Sequence, residues 1–116
     1  MTLSLPAGAV VRAADVVLGH APVSPEQTLD GAPTVGEVEP GEIAGATVGV
    51  WECTAGTSTD SEVDEVSVVI SGRARIDFVS PALPSIEVGP GDVFRLEAGM
   101  KTVWTVTETL RKIYVT

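Results

Sequence analysis

The chain of 116 residues has one histidine, His20, and one cysteine, Cys53. A lone cysteine excludes an intrachain disulfide and fits a reducing compartment. A lone histidine excludes any metal centre built from several imidazoles. No stretch approaches the roughly 18 consecutive apolar residues that span a membrane as a helix. Aromatic residues make up 4% of the chain, so any that faces a cavity stands out. Positive charge is missing from one half: between Arg12 and Arg73 there is no Lys or Arg, while that segment holds eleven acids. The rest has five acids and seven bases, so the net charge of −9 resides in the acidic half. Such a chain repels phosphate backbones and anionic lipid, which argues against nucleic acid and membrane surfaces as partners. The simplest reading of the acids is a solvated, solubilising surface. The segment from Met1 to Val11 lacks a basic n-region and a long h-region, so a cytoplasmic location is expected.

What is present is ordinary for one globular domain: 44% apolar and 20% charged residues. Residues 1–45 hold five of the eight prolines (Pro6, Pro22, Pro25, Pro33 and Pro40). Proline removes a ladder donor and restricts the residue before it, so this part is expected to be irregular chain that wraps the rest. Val10 to Leu18 could form a short strand or one helical turn, and Ser24-Pro25-Glu26 looks like a helix start. Residues 46–116 read as consecutive short strands punctuated by turns. The strands are expected at Thr47–Thr54, Glu65–Ile70, Arg73–Val79, Ser85–Val88, Val93–Leu96, Thr102–Thr107 and Leu110–Val115. Ser71-Gly72, Pro81 to Pro84 and Gly89-Pro90-Gly91-Asp92 provide the breaks. This rhythm with no helical stretch means an all-β sandwich or barrel.

From Gly91 to Val106 the sequence carries two glycines, Gly91 and Gly99, at the spacing of G-x5-P-x-G-x2-H-x3-N, with Glu97, Thr102 and Val106 at the proline, histidine and asparagine positions. Glu65 and Gly72 match the end of G-x5-H-x-H-x3,4-E-x6-G. Its two histidine positions fall on Ser58 and Asp60, or on Thr59 and Ser61. With Gly49 to Gly56 and Arg111 to Val115, these pieces resemble small single-domain cupins of the ureidoglycine aminohydrolase-like and ethanolamine-utilisation-like type. The resemblance implies a double-stranded β-helix, the jelly-roll barrel, over residues 46–116, often dimeric, with a pocket in its mouth. In metal-binding cupins the three histidines and the glutamate hold the ion. Here the matched set is Ser or Thr, Asp or Ser, Glu65 and Thr102. Hydroxyls are poor ligands for a divalent transition metal, and Glu65 with Asp60 would leave a weak, under-coordinated site. The expectation is no metal and no cofactor, a small-molecule ligand, and a homodimer.

Strand alternation proposes the lining of the pocket. If Glu65 points inward so does Ser67; if Thr102 points inward so does Trp104. Trp51 and Cys53 share one face of their strand, and Phe94 and Tyr114 complete a cavity expected to be largely apolar. Glu65 is the candidate general acid or base. It is equally readable as a buried plug tied to Ser67, Thr102 or an indole N–H. The tryptophans are readable as core filler, and Cys53 as a small buried hydrophobe. Two functions follow: a metal-free binding or accessory module, or a metal-independent isomerase, cyclase, lyase or hydrolase using Glu65.

Overall fold

The structure, a computed structural model, describes residues 5–116. Nine strands and no helix are found among them: β1 (Ala21–Pro22), β2 (Thr28–Gly31), β3 (Thr34–Ile43), β4 (Ala46–Cys53), β5 (Gly56–Ser61), β6 (Glu65–Ser80), β7 (Leu83–Val88), β8 (Val93–Leu96) and β9 (Lys101–Val115). Two long strands, β6 and β9, pair antiparallel and form the spine. The first half of β6 also pairs with β8, and its second half with β7. The last half of β9 also pairs with β4, and its first half with β5. One curled layer thus runs β1-β3-β4-β9-β6-β8 and the other β2-β5-β9-β6-β7. The spine bends between them, and the expected jelly-roll barrel results.

The bend explains why Gly72 is a corner within one strand rather than the expected turn between two. β6 runs through it without a break, with register shifts at Val69/Ser71 and Ser71/Arg73. Gly72 has φ +87° and lies against the Thr109–Leu110 backbone, where a Cβ would collide. Only glycine accepts both conditions. The core fills the space between the layers with Val69, Phe94, Leu96 and Leu110 from one and Ala74, Ile76, Val88, Trp104 and Val106 from the other.

The reading of residues 1–45 as mostly irregular is corrected by β3, ten residues long and paired with β4 along most of its length. Pro40 is tolerated because the register shifts between Val38 and Gly41, so no ladder bond is asked of it. At Ser24 there is one turn and no helix. The Gln27 and Thr28 amides both donate to the Ser24 carbonyl, after which the chain enters β2. Upstream, Val10–Leu18 contains a single turn closed by the Val16 N–H on the Arg12 carbonyl at 3.1 Å. This strap lies on the outer face of β3 and β4, where Leu18 packs with Val38 and Val50, flanked by Ala13 and Val16. β5, a polar strand of sequence Gly-Thr-Ser-Thr-Asp-Ser, has no apolar alternation to announce it.

Candidate functional site

The end of β9 alternates inward Leu110, Lys112 and Tyr114 with outward Arg111. Lys112 is therefore carried into the barrel, where it is 4% exposed. Its ammonium donates to Glu65 Oε2 at 2.6 Å. The Ser67 hydroxyl donates to the same oxygen, also at 2.6 Å. Three rings surround the ammonium, with centroids 4.7 Å (Trp51), 5.0 Å (Trp104) and 5.6 Å (Phe94) from Nζ. A desolvated cation gains on the order of 2 kcal/mol from such a ring face, which offsets part of the cost of burying it. The rings hold one another: Trp51 and Trp104 centroids lie 5.7 Å apart, Phe94 and Trp104 6.0 Å.

A second carboxylate stands beside this pair. Glu62 Oε1 accepts from the Thr102 hydroxyl at 2.7 Å and from the Trp104 indole at 2.9 Å. Burial pushes the Glu62 carboxyl above its ordinary value, and these two donors only partly oppose it. Asp60, directly across the ladder from Thr102, is exposed at the rim, yet crowding of its carboxyl by protein raises it too. The Tyr114 hydroxyl donates to Glu37 at 2.8 Å and Glu39 at 3.2 Å. Burial first, and then the two carboxylates, raise that phenol.

Two cavities of about 270 Å³ each open here. One is walled by Glu37, Glu39, Glu62, Glu65, Lys112 and Tyr114. The other is walled by Val23, Ser24, Gln27, Val35, Cys53 and Ser58. Both are bordered by Trp51, Asp60 and Trp104.

Of the residues singled out from sequence, Glu65, Ser67, Phe94, Trp51 and Trp104 surround one point, the Lys112 ammonium. Tyr114 lines the acidic cavity and Cys53 the other. Thr102 is buried and faces Glu62 rather than Glu65. Of the partners weighed for Glu65, Ser67 is the one it has; Thr102 and the Trp104 indole serve Glu62 instead. The expectation of a largely apolar pocket is corrected: five carboxylates border the acidic cavity, because β3 and β5 form part of the mouth and bring Glu37, Glu39 and Asp60 to it. Lys112 went unnoticed, although its signal was available two residues before the inward Tyr114. Burial raises the Cys53 thiol to about 11, as a small buried side chain requires.

The donor set does not fit a transition metal. Thr102 is committed to Glu62, and Glu65 to Lys112 and Ser67. His20 sits on the outer face, bonded to Thr34 and Glu52 at 2.8 Å each. Among the described residues no group of three or more His, Cys, Asp or Glu is placed to hold an ion.

A two-layer barrel spined by bent strands, with its site in the mouth, defines a cupin. The sequence matches the model of the EutQ-like cupin domain over residues 40–114, and the chain belongs to that family. A DUF861-family protein of unknown function from Pseudomonas syringae superposes with a TM-score of 0.73 at 23% identity. The match covers 87% of this chain and 44% of that one, so this chain spans less than half of that relative. The Clostridium difficile EutQ protein gives a TM-score of 0.68 at 20% identity, covering 92% and 84%. A DUF861 protein of Thermotoga maritima gives 0.51 at 20%, covering 56% and 73%. No curated protein matches the sequence.

Proposed function

We propose that this chain is a metal-free, cytoplasmic cupin that binds a small molecule in the barrel mouth, as a binding or accessory protein. The observation that carries the reading is the Lys112 ammonium on Glu65, roofed by three rings beside an open cavity. An internal cation stands where the family's pattern places an ion, so Glu65 is satisfied without one. Both tryptophans of the chain border the cavities, so intrinsic fluorescence reports on them directly. Chelator-treated protein is screened against a library of small metabolites by tryptophan fluorescence and melting temperature. A saturable response supports the reading; no response to any compound, or about one tightly held transition metal per chain by elemental analysis, overturns it.

The homodimer implied by the family resemblance belongs to this proposal. Val66, Val93 and Val115 stand exposed on the outer face of β6, β8 and β9 beyond the reach of the strap, where a second copy would cover them. Sedimentation at micromolar concentration showing only monomer removes the dimer.

A metal-independent enzyme remains the second reading because burial raises Glu62 above an ordinary carboxylate, as a general acid requires. Glu65, the residue singled out from sequence, is engaged by Lys112 and Ser67. If turnover of any bound compound is found, Glu62→Gln and Glu65→Gln separate the two carboxyls. The one that acts loses turnover in protein still folded at the assay temperature, whatever the shift in its melting temperature.

A further inference from the structure

We infer that the ligand of this site is a small organic amine, carried as its ammonium, with an uncharged tail of a few carbons. The inference rests on the small-molecule reading above and adds the chemical class.

The first argument is the balance of donors and acceptors around the acidic cavity. Four donors in or behind its wall, Tyr114, Trp104, Thr102 and Lys112, already serve carboxylates of the wall. Tyr114 donates to Glu37 and Glu39, Trp104 and Thr102 to Glu62, and Lys112 to Glu65. Acceptors remain in excess. Glu37, Glu39, Asp60 and Glu62 make no ion pair among the described residues; Lys112 pairs with Glu65 and reaches Asp60 and Glu62 only as a weaker, more distant charge. A ligand that completes the cavity must bring donors, and an anion would meet like charge on three strands. Partial burial of Glu62 and crowding of the Asp60 carboxyl at the rim leave each at a cost that a positive charge beside them would relieve.

The second argument is the shape. The acidic cavity does not end at the tryptophans but borders the second one along Trp51, Asp60 and Trp104. That second wall carries no charge beyond Asp60. It offers Val23, Val35 and Cys53 with the hydroxyl and amide groups of Ser24, Gln27 and Ser58. A head on the carboxylates and a tail along the indole faces uses both spaces. The turn at Ser24–Gln27 then forms the outer lip that limits tail length.

The test titrates wild-type protein in phosphate buffer, free of amine buffers, with n-hexylamine, n-hexanol, n-hexanoate and ethylamine, reading tryptophan fluorescence and calorimetry. Hexylamine is expected to bind at least about tenfold more tightly than hexanol and hexanoate. Ethylamine is expected to bind at least about tenfold more weakly than hexylamine, through loss of the tail's apolar contact. Glu62→Gln keeps an acceptor for Thr102 and Trp104 and removes the charge; it should weaken hexylamine severalfold and leave hexanol unchanged. Hexanol or hexanoate binding as tightly as hexylamine overturns the amine while leaving a small-molecule site. Ethylamine matching hexylamine overturns the two-part ligand. Silence from all four probes overturns the amine; silence from the metabolite library as well removes the site itself.

Discussion

Arg111 and Lys112 are consecutive on β9, both are buried, and they face opposite sides of one strand. Their ladder partners are consecutive too: Arg111 lies across from Glu52 and Lys112 across from Trp51. The outward pair holds the strap. Arg111 donates to Glu52 at 2.8 Å and to the carbonyls of Ala13 and Val16 at 2.9 and 2.7 Å. The inward pair forms the ring-roofed cation. Grip and site are thus back to back on the same two residues' width of sheet.

Replacing Lys112 alone leaves Glu65 buried without its cation. Lys112→Met should cost about 3–5 kcal/mol, whereas Lys112→Met with Glu65→Leu should recover most of it, because a well-packed apolar pair often equals a buried ion pair. Urea unfolding of the two single variants and the double variant measures the coupling. A double variant that costs the sum of the two single variants would show that the pair is not coupled.

Arg111→Met should release the strap without emptying the barrel. Each charge-assisted bond lost costs about 1.5–3 kcal/mol. Limited proteolysis is expected to cut before Leu18 first, while residues 46–116 stay protected. Leu18→Ala should have a similar effect through the lost packing on Val38 and Val50.

Glu52 and Glu62 should give opposite pH dependences. At Glu52, burial works upward, but the hydrogen bonds from Arg111 and His20 outweigh it and the carboxyl lies below its ordinary value. Its stabilisation is therefore present above about pH 4.5 and is lost as pH falls through the folded value. At Glu62 the folded value is raised, so its contribution is complete below about pH 4 and is lost as pH rises through that value. Glu62→Gln should raise the melting temperature near neutrality and not in acid. Glu52→Gln should lower it near neutrality and flatten the acid limb. Melting curves across pH 3–8 show whether the two variants diverge in this way.

Cys53 is 2% exposed and its thiol is raised to about 11. At pH 8 only about one molecule in a thousand carries the reactive thiolate. Labelling by a thiol reagent should therefore be slow in native protein and complete within minutes in denaturant. Fast native labelling would mean that the wall of the second cavity opens.

Much of the barrel was legible from residue order. Val93–Leu96 is found as expected, and most of the remaining strands are found within a few residues, because alternation of apolar side chains marks one buried face. Glu65, Ser67, Trp51, Phe94 and Trp104 were legible as a group for the same reason. β5 was not, since Gly-Thr-Ser-Thr-Asp-Ser owes its place to pairing with β2 and β9 rather than to its own burial. β3 was obscured by Pro40, which a register shift accommodates.

The sequence by itself determined the all-β architecture, the scarcity of imidazole and the excess of acid. Those are matters of local conformation and composition. Only the tertiary structure decided that Lys112 answers Glu65, that Thr102 and Trp104 answer Glu62, and that Glu37, Glu39 and Asp60 meet at one mouth. Each of these pairings joins residues far apart in the chain. Burial makes them matter, because a charge removed from water must find its partner within a few ångströms wherever the fold happens to supply one.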